Sequence, residues 1–272
     1  MDFPSLVFDF IRRKVLAEAK HFGDLASDRL GAVAVSYEWA TPSIDNVPAQ
    51  QFMVWTEPAS NDVYKTSKLV MRYIPAKDEV WQIGSPTDEP GRAVQDSETQ
   101  RYVKLSQDFF IGVFPITQAQ WAKIASANTG ANPSTFTSDP DALVHPVNNV
   151  SYSMLRGNLT YKGPHGELVN WPTNSVLHDV VTESGRASFL KDLRVLCKGV
   201  EFDLPLDPQW EFACRAGTTQ SLNDGLGLLS GAETSPRLDA LGWYKDNSDS
   251  KTHAVGLKCP NAFGLYDMHG NV

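Results

Sequence analysis

The chain has 272 residues and a formal net charge of −8, and 42% of its residues are hydrophobic. This length predicts one large domain with an N-terminal extension, and the apolar content is sufficient for a core. The acidic balance excludes a broad nucleic-acid-binding face. There is no apolar run long enough to span a membrane, and no secretory signal is evident. We therefore expect a cytoplasmic protein.

The first 65 residues are predicted to form a separate extension, made of a helix followed by short strands. Residues 4–22 place apolar side chains on one helical face and are followed by Gly23. Residues 32–38 and 51–56 have the alternation and composition of strands. The main domain is predicted to cover residues 66–272.

The main domain is predicted to combine strands with two well-marked helices. Strands are predicted at 68–74, 101–105 and 108–114. Thr117 and Gln120 form a capping box at the start of one helix. Asp207 is the predicted N-cap of the other, which is expected to end at Gly217. The stretches 126–200 and 217–252 are mostly loop-like, apart from a plausible helix at 185–196. Together these elements predict an α+β domain with little regular structure.

The cysteines are few and widely spaced. Cys197, Cys214 and Cys259 are odd in number and lack C-x-x-C spacing, which argues against a disulfide framework or a zinc ribbon. Buried free thiols in a reducing compartment are the favoured interpretation. The six histidines are also far apart, which favours turn and surface roles. Among them, His269 is the candidate for the edge of a ligand cleft.

The last nine residues, Gly264–Val272, concentrate unusual chemistry. Asp267 and Asn271 offer hard oxygen ligands, and the carbonyl groups around Gly270 could add more, as in a calcium loop. A plain turn that holds the last strand is an equal alternative.

The tryptophans provide candidate ligand-binding positions. Trp171 and Trp243 lie in irregular, polar stretches, which favours a surface that binds a sugar or a peptide. Trp81, Trp121 and Trp210 are expected in the core.

A series of motifs from about Leu69 to Val272 resembles the formylglycine-generating enzyme family, also called the sulfatase-modifying factor family. The motifs are Ile83-Gly84-Ser85, Pro115–Trp121, His145-Pro146-Val147, Trp210–Gly217 and Pro260–Asn271. The resemblance implies a C-type-lectin-like fold with bound calcium. Catalytic members oxidise a sulfatase cysteine to formylglycine with oxygen and a copper-holding cysteine pair, whereas other members only bind ligands.

The resemblance also implies which residues have a role here. The calcium ligands would be the Asp267 side chain and the carbonyl oxygens of Gly270 and Val272. The three cysteines of this chain do not occupy the catalytic positions, which in the family follow the terminal motif. We therefore expect a domain that is incomplete at its C-terminal end and could be completed by a further segment or chain.

Two functions follow from this comparison. The first is a sulfatase-modifying factor that is inactive as the given chain, because it lacks the copper-binding cysteine pair. The alternative is a noncatalytic module on the same fold that binds a ligand, such as a protein or a peptide. No nucleic-acid or membrane partner is expected.

Overall fold

The computed structural model describes residues 33–34, 59–90, 92, 98–125, 131–156, 188–196, 202–225 and 236–272. The predicted helix at 4–22 and the predicted strand at 51–56 lie outside these residues. Among the described residues, no helix has the length and apolarity needed to cross a membrane.

A three-stranded sheet forms the centre of the described domain. It contains β1 (Val33–Ala34), β2 (Val70–Ile74) and β5 (Phe109–Gly112) in the order β1-β2-β5. Strand β2 pairs in parallel with β1 and antiparallel with β5, with Ile74 opposite Phe109. The strands predicted at 68–74 and 108–114 are thereby confirmed, and β1 lies within the predicted strand at 32–38. Four of the five residues of β2 are buried, as expected for a central strand.

A second sheet consists of the antiparallel strands β3 (Val80–Ile83) and β4 (Arg101–Lys104). Gln82 lies opposite Tyr102, so the two residues share a face with Val80 and Lys104. Strand β4 was predicted and β3 was not; Val80–Ile83 is identified as a strand only through its pairing with β4. Trp81 lies on the other face and meets the ring of Phe212 edge-on at 5.4 Å.

Six short helices surround the sheets in the described part of the chain. The sequence-predicted capping box is present: the Gln120 N–H donates to Thr117 Oγ1 at 3.2 Å, and the Thr117 N–H donates to Gln120 Oε1 at 3.0 Å. The helices are α1 (Val63–Thr66), α2 (Gln118–Ile124), α3 (Tyr152–Arg156), α4 (Phe189–Leu196), α5 (Asp207–Arg215) and α6 (Pro236–Leu241).

The start of α5 differs from the prediction by one residue. Leu206, in an extended conformation, is the N-cap, and Asp207 is the first helical residue. The Leu206 N–H donates to Gln209 Oε1 at 2.9 Å, so the side chain of Gln209 closes the turn instead of a cap from Asp207. The carboxylate still lies in the first turn, where the helix dipole favours a negative charge. The helix ends before Ala216 and Gly217, which both have positive φ.

Three apolar clusters form the core of the part of the chain that the structure describes. Trp121 of α2 stacks on Phe189 of α4, with the ring centroids 4.4 Å apart. A second cluster joins the sheet to α5 and includes Leu265, and a third includes Tyr266. The terminal segment, defined here as Gly264–Val272, is therefore anchored in the core. Trp210 was expected in the core but is 45% exposed, although it lies one helical turn before the buried Ala213 and Cys214.

Candidate functional site

The terminal segment crosses Gly242 and Trp243 in direct backbone contact. A Cβ atom on Gly242 would lie 2.4 Å from the carbonyl oxygen of His269. A Cβ atom on Gly270 would lie 2.2 Å from the carbonyl oxygen of Trp243. Only glycine permits such an approach. The crossing therefore brings together three sequence-predicted residues, Trp243, His269 and Gly270.

The indole ring of Trp243 is covered on both faces. The His253 ring stacks on it with a centroid distance of 3.9 Å and an interplanar angle of 20°. Lys258 Nζ lies 3.7 Å from the centroid of the same ring, in a cation–π contact. Two groups this close to one ring centre must lie on opposite faces. A ligand could therefore stack on Trp243 only after Lys258 had moved.

His269 holds the terminal segment to the loop that follows α5. Its Nε2 atom accepts a hydrogen bond of 3.1 Å from the Asn223 N–H. Burial lowers the pKa of His269, against the opposing attraction of Asp224. The ring is therefore neutral, with its proton on Nδ1. Its role is a contact within the protein, in addition to any role in ligand binding.

Asp267 and Asn271 form a hydrogen-bonded pair within the terminal segment. Asp267 Oδ2 accepts from the Gly256 N–H at 2.8 Å, and Oδ1 accepts from Asn271 Nδ2 at 3.2 Å. Asn271 Oδ1 accepts from the His253 N–H at 2.8 Å, while Nδ2 also donates to the His253 carbonyl at 3.0 Å. The two backbone contacts fix the orientation of the Asn271 amide, because exchanging its oxygen and nitrogen would break both.

Burial dominates the electrostatics of Asp267. It raises the pKa of this carboxyl to about 6, against the Gly256 N–H, the Asn271 amide and the charges of Lys65 and Lys258. The hydrogen bonds and the two lysine charges stabilise the Asp267 carboxylate by less than its burial destabilises it.

The other predicted ligand residues have different positions. Gly270 has a φ of 124°, and the side chain of Val272 is exposed. Within the described ranges, His, Cys, Asp and Glu side chains form no group of three or more that could hold a metal ion. Calcium at this segment therefore stays a prediction. Trp171 lies outside the described residues.

The two described cysteines occupy very different environments. Cys214 is buried in α5 and its thiol contacts the carbonyl oxygen of Met268 at 3.7 Å. Burial raises the pKa of Cys214 to about 12, so the thiol is protonated at neutral pH. Cys259 is an exposed free thiol. Cys197 lies outside the described residues.

The outer face of the second sheet carries exposed apolar side chains that sequence reasoning did not select. Tyr102 is 75% exposed and Val80 is 64% exposed. Gln82 and Lys104 lie on the same face and are also exposed. We call these four residues the outer sheet face. The only local signal was the alternation in β4, since the pairing with β3 is not visible in the sequence.

Residues 34–272 match the family model of the sulfatase-modifying factor enzyme 1-like domain. The chain belongs to this family. The family match confirms the resemblance and begins earlier than Leu69, the first residue on which the motif series rests. The pairing of β1 with β2 shows that residues 33–34 contribute to the central sheet.

Individual relatives of this sulfatase-modifying factor family member are distant. The chain is 25% identical over 197 residues to "Chaperone protein LppX" of Paenibacillus barcinonensis, a match that covers 65% of this chain and 64% of that protein. The chain thus matches less than two thirds of the length of that relative. Treponema denticola variable protein 1 has 26% identity and a TM-score of 0.47, covering 74% of this chain and 70% of that one. PvdO from Pseudomonas aeruginosa has 23% identity and a TM-score of 0.43, covering 74% and 67%.

Proposed function

We propose that this member of the sulfatase-modifying factor family is a noncatalytic, polypeptide-binding module. The observation that carries the proposal is the state of its thiols. Cys214 is a buried residue of α5 whose thiol contacts the terminal segment, whereas Cys259 is at the surface. Copper-dependent oxidation by the family reaction requires two thiolates on one metal ion. Among the described residues, a protonated core thiol and a surface thiol do not provide that pair.

The outer sheet face supports a binding function. It combines a highly exposed tyrosine and valine with a glutamine and a lysine that flank them. Tyrosine is enriched at protein interfaces because it combines a large apolar ring with a hydrogen-bonding hydroxyl group. The relative from Paenibacillus barcinonensis is named as a chaperone. A chaperone acts by binding other polypeptides, which is in line with the same class of function.

Catalysis is tested directly with the purified chain. It is incubated with copper, oxygen, a thiol reductant and a cysteine-containing peptide from a sulfatase, and the peptide is analysed by mass spectrometry. We expect the cysteine to remain unchanged. Formylglycine in the peptide would contradict the proposal and would support the family oxidation instead.

Binding is tested with a permanently unfolded polypeptide, fluorescently labelled, reduced and carboxymethylated α-lactalbumin. Fluorescence anisotropy should show saturable binding to the wild-type chain. The double variant Val80→Ser, Tyr102→Ser should weaken it about tenfold or more, since central aromatic contacts dominate interface energies. Leu143→Ser is the matched control, because Leu143 is also 64% exposed but lies elsewhere, between Ala142 and Val144 of a 3-10 turn. Absence of binding, or equal losses in both variants, would refute the proposal.

A further inference from the structure

The surroundings of Asp267 differ from those of a calcium ligand. Calcium takes six to eight oxygen ligands and favours carboxylates. Within the terminal segment, Asn271 directs its amide nitrogen toward Asp267 Oδ1 at 3.2 Å. Its oxygen accepts instead from the His253 N–H. The side-chain oxygen of Asn271, a possible calcium ligand from the sequence, therefore points away from Asp267, and an N–H donor contacts the carboxylate instead.

The second carboxylate oxygen also has an internal partner. Asp267 Oδ2 accepts from the Gly256 N–H at 2.8 Å. Gly256 is held against the ring of Phe114, where a Cβ atom would meet Cε1 at 2.6 Å. Both oxygens of the carboxylate therefore receive a hydrogen bond from a group whose position is fixed by other contacts.

A buried lysine supplies positive charge to the same region. Lys65 is only 5% exposed, and its Nζ lies 5.9 Å from the centroid of the Phe114 ring. That ring packs on Tyr266, the neighbour of Asp267, with centroids 5.1 Å apart. Burial lowers the pKa of Lys65, and the charges of Asp62 and Asp267 oppose that change. The ammonium and the carboxylate thus attract each other inside the protein.

The backbone around Lys65 is held in place by α2. Thr117 Oγ1 donates to the Lys65 carbonyl at 2.5 Å. Gln120 Nε2 donates to the carbonyl groups of Tyr64 and Lys68 at 3.1 and 2.9 Å. The capping residues of α2 therefore also hold the short helix α1, which contains Lys65.

We infer that Asp267 anchors the terminal segment without calcium, through hydrogen bonds from Asn271 and Gly256 and with Lys65 as its internal counter-charge. In this respect the chain departs from the calcium site that the family resemblance implies. The donor set does not fit the ion, because N–H groups of Gly256 and Asn271 already occupy both oxygens of the single carboxylate, and Asn271 directs its own oxygen toward the His253 N–H. The inference concerns the packing of the terminal segment and is independent of the proposed polypeptide binding.

The first test uses the wild-type chain. Thermal unfolding is followed in EGTA, in millimolar calcium and, as a control for ionic strength, in millimolar magnesium. Terbium luminescence, sensitised by Tyr266 and Trp243, reports directly on ion binding. We expect the same unfolding midpoint in all three solutions and no saturable terbium signal. A calcium-specific rise in the midpoint, or a terbium signal that Asp267→Asn abolishes, would overturn the inference, since an ion that binds only the folded state must stabilise it.

The second test is a double-mutant cycle of Lys65→Met and Asp267→Asn in EGTA. We expect the two changes to be coupled by about fivefold in the equilibrium constant for unfolding, as for neighbouring charges. Lys104→Met with Asp78→Asn is the matched control, because this pair is 2.9 Å apart but exposed, and its coupling should be close to zero. Additive effects of Lys65 and Asp267 would refute the role of the lysine. If a variant does not fold, the measurement on the wild-type chain still decides between the anchor and a calcium site.

Discussion

Two regions of this domain are held together in different ways. Around Trp121, helices α2 and α4 bury large apolar side chains, and the rings of Trp121 and Phe189 are almost parallel. After Leu241, by contrast, the chain forms neither a helix nor a strand through Val272. This second region, which we call the coil region, is stabilised by asparagine and aspartate side chains that bond to the backbone.

The difference predicts different sensitivities to mutation. A helix-packed core loses stability mainly when apolar volume is removed. A buried coil has no helix or sheet in which its backbone N–H and C=O groups could pair with one another. It therefore depends on each side chain that hydrogen-bonds to one of these groups. Small polar residues in the coil region should therefore matter nearly as much as large apolar residues in the helical core.

Trp121→Ala should have the largest effect. The side chain is fully buried and stacks on Phe189, so its removal leaves a large cavity and should lower the free energy of unfolding by about 4 kcal/mol. Trp210→Ala is the matched control on another helix. Because Trp210 is 45% exposed, its loss should cost about 1 kcal/mol. Urea denaturation measures both, and equal losses would show that the Trp121 cluster is not the dominant core.

Asn261→Ala should come next, at about 3 kcal/mol. The Asn261 amide nitrogen donates to the carbonyl groups of Ala213 and Cys214, and its oxygen accepts from the N–H groups of Phe263 and Leu265. Alanine would leave these four buried backbone groups without that partner, each at a substantial cost.

Asn261→Asp separates the two halves of this network. The carboxylate keeps the two accepted hydrogen bonds and loses both donated ones, with almost no change in shape. We expect its destabilisation in urea to match or exceed that of the alanine variant, because it also buries a charge near two carbonyl groups. A stable Asn261→Asp variant would remove the basis for contrasting the coil region with the helical core.

Local signals explain what the sequence could predict. The capping box of α2 lies within four residues, so Thr117 and Gln120 could be recognised directly. At α5 the same kind of signal misplaced the N-cap by one residue. The side chain of Gln209 accepts a hydrogen bond from the Leu206 N–H, and Asp207 does not cap the helix. The motif series was sufficient to indicate the family, because its order reflects the whole fold.

The contacts of the candidate site were less accessible to sequence reasoning. His253 and Asn271 are 18 residues apart, and no pattern links them until the chain is folded. Nor does any local signal bring Lys65 near Asp267, or Lys258 onto the ring of Trp243. The residues of the terminal segment could be selected from their chemistry, but the groups that they contact could not.

Gly270→Ala tests the crossing of the two backbone segments. The new methyl group would lie 2.2 Å from the Trp243 carbonyl oxygen, at a φ of 124° that alanine rarely adopts. We expect a loss of about 2 kcal/mol in urea denaturation. Gly225→Ala is the control, since its φ is also positive but a Cβ atom there would lie 3.7 Å from the methyl group of Thr218, an ordinary contact. Its loss should be about 1 kcal/mol, and an equal loss in both variants would mean that the crossing yields to the added methyl group.

Thiol labelling gives the smallest perturbation and the sharpest view of local opening. Cys214 lies under Met268 of the terminal segment, and burial raises its pKa to about 12, whereas Cys259 is exposed. Because iodoacetamide reacts with the thiolate, Cys259 should be modified at pH 8 while Cys214 stays protected, as measured by peptide mapping. The slow labelling of Cys214 then reports how often the terminal segment separates from α5. The labelling rate of Cys214 gives a free energy of opening. If that value equals the free energy of global unfolding, the coil region and the helical core open as one unit. If it is much lower, the coil region opens by itself.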